Sequence, residues 1–375
     1  MAALLVSVLA LLVTLLIAAI AHYRYWVRRL TVPLEYVLEE RIETPDGSAI
    51  ELRRVPPLRD EGGGAVEPAP EKLPGALARP PVLLVHGIGI NHQNNDVLPD
   101  LSLARHLATA GRDCWLLTLR TGRVGARWRE RALMRFERMA RYDLPIGIDR
   151  VLEITGAPQL DYVGFSMGGM LLYGSIARTV DPAKVRKVVI IGSPAIVRAP
   201  WPLALFGWIR FLPWWLLPTI PLRLLSRMIA FAADWLPFTP LHQLVYNPRN
   251  VERGIAGAAL MTVQDMPAAL SHDFVRWSAL GGPIDVEGAS IVERLEKLSN
   301  PAIFFAGAAD RLAPPESVRA AYDAWGRDQP AADKTFVLLG REAGASEDYG
   351  HGDLAIGRRA REDVFEPIAA FLERG

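Results

Sequence analysis

Six short apolar runs recur from Pro81 onward: "PVLLVHG", "CWLLTLR", "LDYVGFS", "VRKVVIIGS", "AIFFAGAAD" and "TFVLLG". Most have the continuous hydrophobicity of strands buried on both faces, and helix-like segments separate several of them. Strands alternating with helices imply an α/β class, with a mainly parallel sheet covered on both sides. Upstream, "LEYVLEERIETPDGSAIELRRV" reads as two strands joined by a Pro-Asp-Gly turn. The stretch that follows, about residues 56–80, is rich in Pro and Gly without apolar periodicity, and reads as a flexible insertion. The 375 residues, half of them hydrophobic, are ample for a sizeable core. A net charge of +1 gives no basis for a nucleic-acid partner.

The third run ends in "GFSMG" and passes at once into the helix-forming "GMLLYG". A strand-to-helix turn that tight forces strained backbone angles on its central residue, Ser166. Gly164 and Gly168 lack a Cβ, so strand and helix can approach without clashing. The Ser166 hydroxyl would project outward at a helix N-terminus, and the N–H of Met167 would point where an oxyanion develops. The pentapeptide alone is a modest signal, and its context decides.

A serine nucleophile needs a base, an acid that orients the base, and oxyanion donors. Of the seven histidines, only His351 comes after the penultimate strand-like run, in the Gly-flanked "EDYGHGDL". His242 and His272 fall earlier and are read as structural or substrate-facing. Asp310, in "AIFFAGAADRLAPPESV", is the expected acid, with Asp353 as the alternative. In "VLLVHGIGIN", Gly87 is followed by Ile88, whose N–H would face that of Met167 as a second oxyanion donor. His86 reads as a brace for that loop. The expected order is Ser166, then Asp310, then His351.

The N-terminal "MAALLVSVLALLVTLLIAAIA" carries no charge over 21 residues and is followed by "HYRYWVRR". About 20 apolar residues span a bilayer core, so residues 1–29 read as a transmembrane anchor with a basic flank. The flanking Arg24, Arg28 and Arg29 put the remaining chain on the cytoplasmic side. The alternative is secretion after signal cleavage near Ala19–Ala21. A second apolar segment, within 197–299, holds Trp201, Trp208, Trp214, Trp215 and Trp235, interrupted by Arg210, Pro213, Pro218 and Pro221. It reads as a helical cap walling a greasy pocket, between core parts at 30–196 and 300–375. The single cysteine, Cys114, falls on a strand and reads as a core residue. "RTGRVGARWRERALMRFERMAR" holds eight arginines and two glutamates, and is expected to be a solvated helix face with internal ion pairs.

From Pro81 to Gly375 the sequence resembles the α/β-hydrolase superfamily. Within it the likeness is to the acid lipases (gastric and lysosomal), carried by "LLVHGI", "LSLARHLATAGRDCWLLTLRTGR", "FERMARYDLPIGIDRVLEITGAPQLDYVGFSMGG", "FAGAADRLAPPESV" and "YGHGDLAIGRRAREDVFEPI". The chain departs from those lipases at Phe165 and Met167, where they usually carry His and Gln, and the cap shows no clear match. Polyhydroxyalkanoate synthases are also similar but use a cysteine nucleophile. The resemblance implies an α/β-hydrolase fold with a cap, and ester hydrolysis through Ser166, Asp310 and His351, with Ile88 and Met167 as oxyanion donors. It implies a small-molecule or lipid ester substrate and no metal or organic cofactor. Transfer of the acyl group, thioester hydrolysis, and a non-catalytic binding role on the same fold are the alternatives. Oligomeric state is not legible.

Overall fold

The computed structural model describes residues 1–57, 79–126, 128–198, 208, 211–216, 219–233, 235, 240–329 and 332–374. Most of the expected insertion at 56–80 lies outside the described residues, as do Trp201, Arg210 and Pro218.

The uncharged N-terminal run forms the body of a long helix, α1 (Ala2–Leu30). Its span Ala3–Leu30 has a mean hydropathy of 3.0 and an unburied apolar window, so it is long and apolar enough to cross a membrane. Two strands, β1 (Leu38–Glu43) and β2 (Ala49–Val55), pair antiparallel. Gly47 turns between them at φ 85, a left-handed conformation that disfavours other residues.

Next come β3 (Val82–Val85), α2 (Leu103–Thr109) and β4 (Cys114–Thr118). A helical turn, α3 (Phe136–Arg138), continues through a π-helical turn at Met139–Asp143 into α4 (Leu144–Thr155). Gly156 stops that helix in the left-handed conformation common at helix ends. Then β5 (Leu160–Phe165), α5 (Met167–Ser175) and β6 (Val185–Ile191) follow. A helical excursion holds α6 (Leu222–Ile229), α7 (Pro240–Val245), α8 (Ile255–Ala259) and α9 (Ala268–Leu280). It closes with the short pair β7 (Asp285–Val286) and β8 (Ala289–Ser290), then α10 (Ile291–Leu295). The chain re-enters the sheet as β9 (Ala302–Gly307), α11 (Pro315–Ala324) and β10 (Lys334–Leu339), ending in α12 (Asp353–Ile356) and α13 (Glu366–Glu373).

All six apolar runs are strands of one eight-stranded sheet, ordered β1-β2-β4-β3-β5-β6-β9-β10. The first two strands join antiparallel, and every pairing from β4 to β10 is parallel. The chain steps from β3 to β4 on one side, then crosses back to β5 on the other. That reversal leaves a crevice at the carboxyl ends of β3 and β5, where ligands bind in open α/β sheets.

Strand residues alternate between two cores, one on each sheet face. Leu83, Val85, Trp115, Leu117 and Tyr162 pack with side chains of α4, α5, α10 and α11. Val82, Leu84, Cys114, Leu116 and Val163 pack with α2, α12 and α13. Cys114 is fully buried, and burial raises its thiol pKa. Of the segment 197–299, Leu270, Trp277, Ile284 and Ile291 join the first core, whereas Ala233, Tyr246, Val251 and Ala256 form a separate cluster with Val97 and Ile356.

The arginine-rich stretch is tied inward at several points. Arg120 is fully buried between Asp143 and Asp46, Arg123 meets Glu130 at 3.1 Å, and Arg135 meets Asp273 at 2.8 Å.

Candidate active site

Ser166 sits between the last residue of β5 and the first of α5, at φ 52 and ψ −118. Among described residues, positive φ outside glycine occurs only here, at Ala177 and at Glu287. Such a conformation costs about 1–3 kcal/mol and persists only where surrounding structure imposes it. The backbone N–H of Ser166 is held by the Ile191 carbonyl at 2.7 Å. Every residue of β5 and α5 is buried.

The three motif glycines permit three backbones to converge. A Cβ on Gly164 would lie 2.5 Å from the Gly169 nitrogen, and one on Gly168 would lie 2.3 Å from the Val85 carbonyl oxygen. A Cβ on Gly87 would come within 3.0 Å of the Ser166 Cβ. The loop after β3 is therefore pressed directly against the serine.

Asp310 and His351 are joined: Nδ1 of His351 lies 2.7 Å from Oδ2 of Asp310, both residues buried. The other Asp310 oxygen accepts N–H bonds from Leu312 at 2.9 Å and Ala313 at 2.8 Å, which fixes the carboxylate's orientation. The His351 ring packs on Phe165, with centroids 5.2 Å apart, so the imidazole lies beside the residue preceding Ser166. Gly192 leaves it space, since a Cβ there would stand 3.3 Å from His351 Nδ1.

Asp353 takes a different position from the one an alternative acid would need. Its carboxylate accepts the Asn247 N–H at 2.9 Å, the Gly350 N–H at 3.0 Å and the Asn250 side-chain amide at 3.1 Å. Burial raises its pKa to about 6. Together with the Gly352 N–H bond to the Val245 carbonyl at 2.7 Å, these bonds clasp the His351 loop to the segment after α7. The sequence singled out neither Asn247 nor Asn250; "VYNPRN" carries no motif.

His86 is completely buried, and its Nε2 accepts the Leu119 N–H at 3.0 Å. Its Nδ1 therefore carries the proton and donates to the Gly87 carbonyl at 2.7 Å. Burial lowers its pKa to about 4, keeping the ring neutral. Gly87 and Ile88 follow on a loop braced by this ring. Met167 opens α5, and the first N–H groups of a helix have no partner within it. His272 lies half-buried on α9; the side chain of His242, on α7, lies outside the described residues.

In chemical terms, a hydroxyl on a strained turn, an imidazole oriented by a buried carboxylate, and backbone N–H groups at a helix start suit nucleophilic acyl chemistry.

Human gastric triacylglycerol lipase is 31% identical over 188 residues, 47% of this chain and 43% of the lipase. Human lipase member M is 31% identical over 159 residues, 40% of this chain and 34% of that protein. The chain thus matches less than half the length of these curated relatives. Among solved structures, an esterase from Exiguobacterium antarcticum superposes with a TM-score of 0.55 at 14% identity, covering 90% of this chain and 100% of that one. A family model described as the alpha/beta hydrolase fold matches residues 80–342, more than half of the sequence. The strand order, the serine turn and this match make the chain a member of the α/β hydrolase fold family.

Proposed function

We propose that this protein is a membrane-anchored serine hydrolase that cleaves carboxylic esters of lipophilic acids through an acyl-serine intermediate. The observation that carries the reading is the Asp310–His351 hydrogen bond beside the strained turn at Ser166. The lipase names of the curated relatives support an ester substrate.

With Nδ1 bonded to Asp310, Nε2 of His351 is the free basic nitrogen. It takes the Ser166 proton as Oγ attacks the ester carbonyl, and Asp310 stabilises the resulting imidazolium. The N–H groups of Ile88 and Met167 receive the oxyanion. His351 then protonates the leaving alcohol, and a water deprotonated by the same ring releases the acid and restores Ser166. Residues 1–29 act as anchor and basic flank, with the catalytic domain on the cytoplasmic side; part of 197–299 serves as the cap over the acyl chain.

The test is turnover of p-nitrophenyl esters of increasing chain length by the full chain in detergent, with Ser166→Ala beside it. Turnover lost in the variant, together with loss of fluorophosphonate labelling, supports the reading. A folded protein with neither turnover nor labelling refutes it.

A further inference from the structure

On the surface of a water-soluble domain, a helix turns its apolar stripe inward and its polar residues out. The helix α6, "LRLLSRMI", is inverted. Leu224, Leu225 and Ile229 are 51%, 50% and 48% exposed, while Ser226 and Arg227 are 6% and 7% exposed. The inversion is fixed by hydrogen bonds. Arg227 donates to the carbonyls of Arg223 at 3.0 Å, Val263 at 3.2 Å and Met261 at 2.9 Å, and the Ser226 hydroxyl donates to Arg223 at 3.2 Å. Phe231, directly after the helix, is exposed as well. Transfer of apolar side chains out of water is favourable, so water is a poor solvent for this face. Exposed apolar side chains clustered on one helix mark a contact site.

What covers it follows from α1. His22 packs edge-on against Phe231 with ring centroids 4.7 Å apart, Trp26 lies 5.8 Å from the same ring, and His22 Nε2 is 3.4 Å from the Met228 carbonyl. These contacts begin immediately after the uncharged run that ends at Ala21. At 1.5 Å per residue, about 20 residues of helix span the roughly 30 Å hydrocarbon core. His22 and Trp26 then stand at the membrane–water boundary, where aromatic side chains gather. Phe231 and the end of α6 stand at the same level.

The geometry points to the outward face of α6, with Phe231, as a second membrane-contacting surface that seats the segment between β6 and β9 in the lipid leaflet where α1 emerges. This rests on the reading of α1 as a membrane anchor. The inner face of the same helix leads to the site: Arg227 holds Val263, which bridges to Ile90, and the Gln264 N–H donates to the Gly89 carbonyl at 2.8 Å. The lipid-seated helix is therefore two hydrogen-bonded steps from the loop carrying Ile88. The ester class this favours is one drawn from within the leaflet, with its acyl chain already in lipid.

The test uses the full chain in phosphatidylcholine vesicles, spin-labelled one position at a time through Leu225→Cys, Ile229→Cys, Val13→Cys in α1, and Asp328→Cys as a water-facing control. Collisions with molecular oxygen and with a water-soluble nickel chelate report depth. Labels at 225 and 229 that favour oxygen, as the label at 13 does, support the proposal. Labels at 225 and 229 that favour nickel, with 13 still favouring oxygen, overturn it and leave the anchor intact. Nickel preference at 13 sinks the anchor reading itself. Spin–spin broadening between copies at 225 overturns the lipid assignment in favour of self-association. As a second measurement, the double variant Leu225→Glu/Ile229→Glu should lose about tenfold turnover of a vesicle-embedded ester while p-nitrophenyl acetate turnover is unchanged. Equal loss on both substrates counts against the proposal.

Discussion

Oδ2 of Asp310 and Nδ1 of His351 stand 2.7 Å apart, although 41 positions of chain separate them. Their strands explain it: β9 and β10 are parallel neighbours with Gly307 opposite Leu339, so whatever follows each strand emerges at the same sheet edge. The Ala309 N–H bond to the Tyr349 carbonyl at 2.9 Å draws the two loops together.

Asp310→Asn should keep the fold and lose the orientation of the imidazole. By the behaviour of serine-histidine-aspartate sites, kcat on a p-nitrophenyl ester should fall about 10⁴-fold with little change in KM. Wild-type kcat in a folded variant would remove Asp310 from the mechanism.

Gly87→Ala places a methyl group 3.0 Å from the Ser166 Cβ, 3.1 Å from the Phe165 ring and 3.3 Å from the Ile90 side chain. Overpacking of this sort costs about 1–3 kcal/mol. The expected result is a lower Tm and at least a tenfold loss of kcat, read by calorimetry and ester turnover. Unchanged kcat would mean that the loop can retreat without consequence.

Arg120→Met should be among the most damaging substitutions away from the site. It leaves Asp143 buried without its guanidinium, a situation worth about 3–5 kcal/mol. Burial already raises the Asp143 pKa. The exposed Arg341–Glu347 pair is the contrast: Arg341→Met should leave the urea midpoint nearly unchanged. Urea unfolding of the two variants distinguishes these outcomes.

Acid should weaken the fold through its buried imidazoles. The His86 pKa is lowered to about 4 and that of His92 to about 2, both by burial. An imidazole held neutral adds stability that is complete above the ordinary value of 6.5 and is lost as pH falls towards the folded value. For His86 that amounts to about 3 kcal/mol between pH 6.5 and 4. Asp353 acts oppositely: its pKa near 6 lies above the ordinary 3.8, so its contribution falls as pH rises through that interval. Comparing wild type with His86→Gln isolates the histidine. The stability gap between them should shrink from pH 7 to pH 4.5; a constant gap would contradict it.

The strands and the serine turn were legible because their signals are local: unbroken apolar runs, and glycines where backbones must touch. The order Ser166, Asp310, His351 was legible because each follows a strand. The clasp at Asp353 was not, since Asn247 lies 106 positions away and Asn250 lies 103 away, in a stretch with no motif. The sequence presents Asp353 only as a carboxylate near His351, and burial with three donors decides what it does. The polarity of α6 was hidden for a related reason. Its composition says amphipathic, but only Arg227 reaching the carbonyls of Met261 and Val263 says which side faces in.

All nine residues of α5 are interior. Ser166 is therefore mounted on an element with no solvent side to yield, and its position is inherited from the packing of Met167, Met170, Leu171 and Leu172. On the proposed reading, a shift in the packing of those four side chains moves Ser166 with it. On the proposed reading, the helices between β6 and β9 can diverge in sequence without moving that mount.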